Sequence, residues 1–240
     1  MSGYLRVVSP GLMSTIQDRG RERFQHLGVP VSGALDWVTL AAANALVGNA
    51  PDEAALEILY LGPTLVVEAD SVRVALACPD AQIERLSHSS APQGQRIEPM
   101  QSVTLRRGEA IRIGAIRDSA CAYLAVEGGF AVDPVLGSRS TDIRSRIGGI
   151  DARPLQEESR LPLRLAVATE KAEHNLALRD FGVPSEVRIV PGPQRDFFSD
   201  AEFEAFTRAT YIVGANSNRM ALRLSGRPVG HNRSANIVSN

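Results

Sequence analysis

The sequence predicts a mainly β protein with two short helices, and three observations carry that prediction. Short apolar stretches recur along the chain, each bounded by Gly, Pro or Asp. One of them, Ser71 to Cys78, alternates cleanly, with Val72, Val74, Leu76 and Cys78 on one face and Arg73, Ala75 and Ala77 on the other. Only two stretches stand out with helix start signals. Strands this short and frequent predict a closed or sandwiched antiparallel sheet.

In chain order, the first helix is expected over Asp36 to Val47, a run rich in Ala and Leu with Asp36 as its cap and Gly48 as its stop. Leu56 to Leu61 and Thr64 to Glu68 read as strands about a Gly62-Pro63 turn. Ser102 to Leu105 and Ala110 to Ile113 flank Arg107-Gly108-Glu109 and read as a hairpin. Further strands are expected at Ala122 to Glu127, Ser185 to Val190, Tyr211 to Gly214 and Met220 to Leu224. The second helix, Ser199 to Arg208, carries Ser199 and Glu202 as a capping box, with Phe198 placed to staple onto Phe203. Both helices read as packing elements. Polar composition makes residues 167–184 a linker between a first β-barrel domain, residues 1–166, and a partial second domain, residues 185–240. The second segment is too short to close a barrel comfortably, so the chain is expected to be shortened at its C-terminus.

Composition narrows the function classes. With 240 residues and a formal net charge of -1, no global field points to nucleic acid or to an anionic membrane. No apolar run reaches the roughly 18 residues of a membrane span, and Met1 to Tyr4 lacks a signal-peptide layout. Cys78 and Cys121 lie in strand-like runs and read as buried thiols of a reducing, cytoplasmic compartment. Lys171 is the only lysine; it sits in polar sequence, so a lysine-dependent mechanism has little to draw on. The phosphate-cradling loop that ends in Gly-Lys-Ser/Thr is missing, as is a Gly-x-Ser-x-Gly nucleophile elbow. No His or Cys pair has metal-ligand spacing, so no metal is expected.

Polar residues concentrate in two loop regions. The first, from Pro10 to Asp36, contains Gln17, Asp18, Arg19, His26 and Ser32 among glycines that imply tight backbone geometry. His26 is the one histidine inside such a cluster and could carry a proton near neutral pH. The second, after Gly128-Gly129, contains Gly137-Ser138-Arg139-Ser140-Thr141, two hydroxyls about an arginine that can form a concave site for a carboxylate or phosphate. Both also read as turn-stabilising polar residues. Gln194, in the rigid turn Pro191-Gly192-Pro193-Gln194, and Asn216, Asn218 and Arg219, in a later polar turn, are further candidate pocket or partner contacts, though Gln194 reads equally as a side chain facing water.

Six ordered strings resemble one bacterial family: PGLMSTIQDRGR, QHLGVPVSGALDWVTLAAANALVGN, LEILYLGPTL, AYLAVEGGFAVDPVLGSRSTDIR, IVPGPQRDFF and SNRMALRLSG. The family is that of the 5-oxoprolinase C subunit, also called allophanate hydrolase subunit 2 or biotin-dependent carboxyltransferase. The resemblance spans essentially the whole chain and implies a cyclophilin-like antiparallel β-barrel, the second barrel being incomplete. It implies two companions, a cyclophilin-like B subunit and a lactam-utilisation A subunit. The complex would be a hydrolase that opens 5-oxo-L-proline to L-glutamate with ATP, acting on a small molecule and not on nucleic acid or membrane. Gln17, Asp18, Arg19 and His26 would line the substrate pocket, and Ser138, Arg139, Ser140 and Thr141 would hold an anionic group. One alternative is transfer of a carboxyl group from carboxybiotin to urea or a similar amide. Biotin enters only there, and not covalently, because Lys171 stands in Glu-Lys-Ala and not between methionines. Another is a non-catalytic regulator of a sensor kinase. Two departures stand out: Met220-Ala221 replaces the family's usual Met-Gly, and the family's last segment has no counterpart after Asn240.

Overall fold

Alternating apolar residues on short strands can be buried only if both sheet faces, or two facing sheets, are covered. The computed structural model describes residues 3–91, 93–177, 186–215, 217, 219 and 221–232. The chain divides into two compact units, Met1–Arg179 and Asp180–Asn240.

In the first unit the elements run β1 (Tyr4–Ser9), β2 (Met13–Gln17), α1 (Trp37–Leu46), β3 (Ala55–Leu59), β4 (Thr64–Val67), β5 (Ser71–Ala77), β6 (Asp80–Leu86), β7 (Gln95–Ile97), β8 (Ser102–Arg106), β9 (Ala110–Arg117), β10 (Cys121–Val126) and β11 (Arg160–Pro162). They form a six-stranded sheet in the order β11-β1-β4-β9-β6-β7 and a five-stranded sheet in the order β2-β3-β10-β5-β8. The pairings are antiparallel. Leu5, Val7 and Leu65 of one sheet and Ile16, Leu56 and Leu124 of the other share one core. Isolated bridges, Leu61 to Ala115 and Phe130 to Leu163, join strand ends of the two sheets. The fold is therefore mainly β and antiparallel, as the sequence predicts.

The alternation of β5 serves two cores. Val72, Val74, Leu76 and Cys78 enter the core between the sheets, while Ala75 and Ala77 lie under Leu40, Ala43 and Leu46 of α1. Small side chains there let the helix sit close to the sheet. Asp36 caps α1 by accepting from the N–H groups of Val38 and Thr39, as its position predicts. Arg73 of β5, also buried, donates to Glu127 at 2.9 Å.

Two sequence readings are corrected here. The segment around Arg107-Gly108-Glu109 is not a hairpin, since β8 belongs to the five-stranded sheet and β9 to the six-stranded one; the expected turn at Gly62-Pro63 likewise leads from β3 in the first to β4 in the second. Each turn is a corner at which the chain changes sheets. Local turn signals are the same for a hairpin and a corner; long-range pairing decides, here β8 with β5 and β9 with β4 and β6. The polar stretch after Val167 also does more than span. Arg73 donates to the carbonyls of Thr169 and Lys171, Ser102 N–H to His174 O and Leu176 N–H to Met100 O. The segment is exposed yet strapped beside β8, the edge strand of its sheet, which covers otherwise open backbone groups.

In the second unit, α2 (Asp200–Arg208) is capped by Ser199, which accepts from Glu202 N–H at 3.2 Å. The reciprocal half of the expected capping box is replaced: the Glu202 carboxylate pairs with Arg227 at 2.8 Å and accepts Gly230 N–H. Phe198 and Phe203 line one apolar cleft. β12 (Tyr211–Val213) pairs with β13 (Leu224–Gly226), later than the strand expected from Met220, a residue outside the described ones. The expected strand at 185–190 is absent over its described residues, 186–190, where Val187 and Val190 are exposed. β-propensity alone cannot hold a strand without a ladder partner. No helix among the described residues is long and apolar enough to cross a membrane.

Candidate functional site

The two polar loop regions meet, and the carboxylate of Asp18 joins them. Its Oδ1 accepts from Ser138 Oγ and Ser140 Oγ, both at 2.6 Å, and from Gly20 N–H at 2.8 Å, while Oδ2 accepts Arg139 N–H at 2.6 Å. Asp18 N–H in turn donates to Ser140 Oγ. Burial alone would push this carboxyl up; the hydrogen bonds from Ser138, Ser140, Arg139 and Gly20 outweigh it and hold the group below its ordinary value. Asp18 is thus a fixed anion at neutral pH, an acceptor and not a proton source.

Around this hub the side chains bond chiefly to one another. Gln17 donates to Thr15 Oγ1 and to Thr141 O, each at 3.0 Å, and its Oε1 is a buried oxygen without a hydrogen-bond partner. Thr141 Oγ1 donates to Ile16 O. Arg21 is 1% exposed and donates to Ser32 Oγ, Ser140 O and Val135 O. Ser32, at φ 56, donates its own hydroxyl hydrogen bond to Asp142 Oδ2 at 3.0 Å. Arg139 is half-buried; Nε donates to Val132 O at 2.7 Å and Nη1 lies 3.9 Å from Glu53, itself paired with Arg164 at 2.7 Å. The expected anion holders Ser138, Arg139, Ser140 and Thr141 therefore form a buried brace that fixes the first loop to the second.

A second buried carboxylate fixes the far end of the first loop. Glu57 accepts from Tyr123 Oη at 2.6 Å and from Leu35 N–H at 2.8 Å, and Asp36 N–H donates to Tyr123 Oη at 2.9 Å. Glu57 and Tyr123 stand opposite each other on β3 and β10. Nothing in the sequence singled out this pair. Its signal was an acidic and a phenolic residue inside otherwise apolar strands, where a buried polar group needs a partner.

Between these anchors lies a cleft of about 490 Å³, lined by Arg19, Glu22, Ala34, Trp37, Leu40, Ala41, Pro51 and Asp52. Of the expected site residues only Arg19 borders it. His26 is exposed on the single turn Gln25–Leu27 and does not line it. Gln194 and Arg219 belong to the second unit, where Gln194 borders the apolar cleft of Phe198, Phe203 and Phe206. Asn216 and Asn218 lie outside the described residues. The cleft lining offers one guanidinium, two carboxylates and an aromatic face.

Known proteins share this fold. The chain is 34% identical over 224 residues to the 5-oxoprolinase C subunit of Escherichia coli, covering 93% of this chain and 69% of that protein. It is 30% identical over 235 residues to urea amidolyase of Lachancea kluyveri, covering 92% of this chain but 12% of that protein. The crystal structure of TTHA0988 superposes with a TM-score of 0.79 at 32% identity, covering 96% of this chain and 81% of that one. Residues 27–240 match the family described as carboxyltransferase domain, subdomain A and B. By that match, the chain belongs to the carboxyltransferase-domain family, subdomains A and B.

Proposed function

We propose that this chain is the C-type component of a hydrolase complex that opens 5-oxo-L-proline to L-glutamate with ATP. The observation that carries this reading is the 34% identity to the E. coli 5-oxoprolinase C subunit over 93% of the chain. A lactam carbonyl is a poor electrophile; transfer of the ATP γ-phosphoryl group to its oxygen would make the ring carbon open to water. Water then adds at that carbon and the C–N bond breaks as the ring nitrogen takes a proton, which leaves an acyl phosphate; a second water hydrolyses that acyl phosphate, so phosphate leaves as the acid forms. The described residues of this chain supply binding surface and leave phosphoryl transfer to companion chains, a B-type cyclophilin-like one and an A-type lactam-utilisation one. No cofactor is covalently attached in this reading, and ATP is used by the assembled complex.

A second reading, carboxyl transfer from carboxybiotin to urea or a similar amide, is favoured by the 30% identity to urea amidolyase over 92% of the chain. The 5-oxoprolinase and urea amidolyase relatives named above carry enzyme names and lend nothing to a kinase-regulator role. The deciding experiment purifies the chain with its companions and measures phosphate and glutamate release on adding 5-oxoproline. Release that requires every component supports the proposal. An inactive complex that instead fixes bicarbonate onto urea in the presence of a biotin carrier overturns it in favour of the second reading.

A further inference from the structure

The cleft beside α1 has a charge pattern that selects among ligands. Arg19, Glu22 and Asp52 all line it, and the side chain of none makes a hydrogen bond or ion pair with another described residue. Elsewhere in the unit arginines are mostly matched to a carboxylate or carbonyl, as Arg6, Arg73, Arg85, Arg112 and Arg164 are. Trp37, the chain's single tryptophan, is 68% exposed at the same cleft. An exposed indole at a cavity of this size is a flat apolar surface for a planar ligand.

Both walls are rigid. Arg19 follows Asp18 directly, and its carbonyl lies so close to Gly33 that an added Cβ would stand 2.5 Å from it. Trp37 follows Asp36, whose N–H is fixed by the buried Tyr123 and whose carboxylate holds the next helical turn. The opposite rim, Pro51 and Asp52, precedes Glu53, whose carbonyl accepts from Asn44 Nδ2 at 2.7 Å. A cleft built this way can orient a small ligand without first being ordered.

We infer that this cleft binds a small planar amide carrying one carboxylate, with the carboxylate on Arg19, the ring against Trp37 and the amide N–H directed to Asp52 or Glu22. Two lining carboxylates against one guanidinium repel a nucleotide polyphosphate, so ATP is not its ligand. A neutral amide such as urea would leave Arg19 unused. This assignment rests on the 5-oxoprolinase reading for the identity of the ligand.

The test titrates the full chain and follows Trp37 emission, over roughly 1 μM to 10 mM to bracket usual substrate affinities. The probes are 5-oxoproline, 2-pyrrolidinone (the same lactam without the carboxylate) and urea. Saturable change with 5-oxoproline, at least about tenfold tighter than with 2-pyrrolidinone, is expected from one charge-assisted contact. Arg19→Ala should erase that advantage and leave 2-pyrrolidinone binding unchanged, and Arg19→Lys should restore part of it. Arg19 is exposed and its side chain unbonded, so an unaltered circular dichroism spectrum and melting midpoint are expected for both variants. No saturable response, equal affinity for the two lactams, or an Arg19→Ala chain that still prefers 5-oxoproline overturns the inference. An assembled complex that is inactive on 5-oxoproline while the titration holds would sink the functional reading and leave the cleft standing. An active complex with a silent Trp37 does the reverse.

Discussion

Tyr123 donates its hydroxyl to Glu57 at 2.6 Å from the neighbouring strand, in register, beneath the segment that starts α1. Burial first, and then the charge of Glu57, hold that hydroxyl far above its ordinary value, so it remains a donor throughout the usable pH range. Because the same two side chains hold Leu35 N–H and Asp36 N–H, a contact inside the sheet sets the position of Trp37 at the surface.

Tyr123→Phe removes one donor from a buried carboxylate and strands the Asp36 N–H. Stability should fall by about 1–3 kcal/mol, seen as a lower urea midpoint with an unchanged slope. Trp37 emission in the folded protein should shift as well. A midpoint equal to that of the parent chain would show that the pair does not anchor the loop.

Asp18 makes folding depend on acid pH. Its folded pKa is depressed, so its contribution is fully present above the unfolded value, about 3.9 for aspartate, and is lost as pH falls through the lower folded value. Asp18→Asn should cost about 1–3 kcal/mol near pH 7, and the gap to the parent should close on acidification below roughly pH 4. Denaturant midpoints measured across pH for both proteins check this. A gap that is constant with pH would mean that charge plays no part.

The strap over β8 depends on a buried ion pair. Glu127 accepts from Arg73, from Thr169 N–H and from Thr169 Oγ1. Glu127→Gln leaves the Arg73 charge uncompensated and should destabilise by about 3–5 kcal/mol. The strap should loosen first. An endopeptidase specific for lysine cuts this chain only after Lys171, and cleavage should speed up in the variant under conditions where both proteins stay folded. Equal cleavage rates would refute the pinning role.

Gly33 stands at φ +85 against the carbonyl of Arg19. Gly33→Ala combines left-handed strain with a backbone clash and should cost about 1–3 kcal/mol. It should also move Arg19 and weaken 5-oxoproline binding to the cleft, whereas Gly108→Ala, with nothing near its added Cβ, should show only the conformational part. Identical melting midpoints for the two variants would argue against the close approach.

The thiols should be inert. Cys78 and Cys121 are buried, and Cys78 is pushed up to about 12, chiefly by burial. Neither should react with an aromatic disulfide reagent in the native protein at pH 8, and both should react on unfolding. Fast native labelling would contradict the packing.

How much of this was legible in advance differs by residue. The alternation of Val72, Val74 and Leu76, the Asp36 cap and the Ser199 cap are local properties, carried by side-chain periodicity and by hydrogen bonds a few residues long. So sequence alone determined a mainly β chain with two helices, and it marked the loops of Asp18 and Ser138 as polar and glycine-shaped. It also carried the family likeness. What each loop does was decided by partners about 120 residues away. Ser138, Arg139 and Ser140 read as ligand holders because free hydroxyls and a guanidinium bind anions, but Asp18 takes up both hydroxyls and the Arg139 main-chain N–H as an internal anion, and the Arg139 guanidinium turns to Val132 O and Glu53. The corner at Gly108 read as a hairpin because a turn does not encode which sheet receives the next strand. Trp37 read as one more helix residue, since only the packing of α1 on β5 and β10 fixes which of its side chains stay outside. Local chemistry sets the elements; long-range burial and hydrogen-bond satisfaction set which polar groups remain free to meet a ligand.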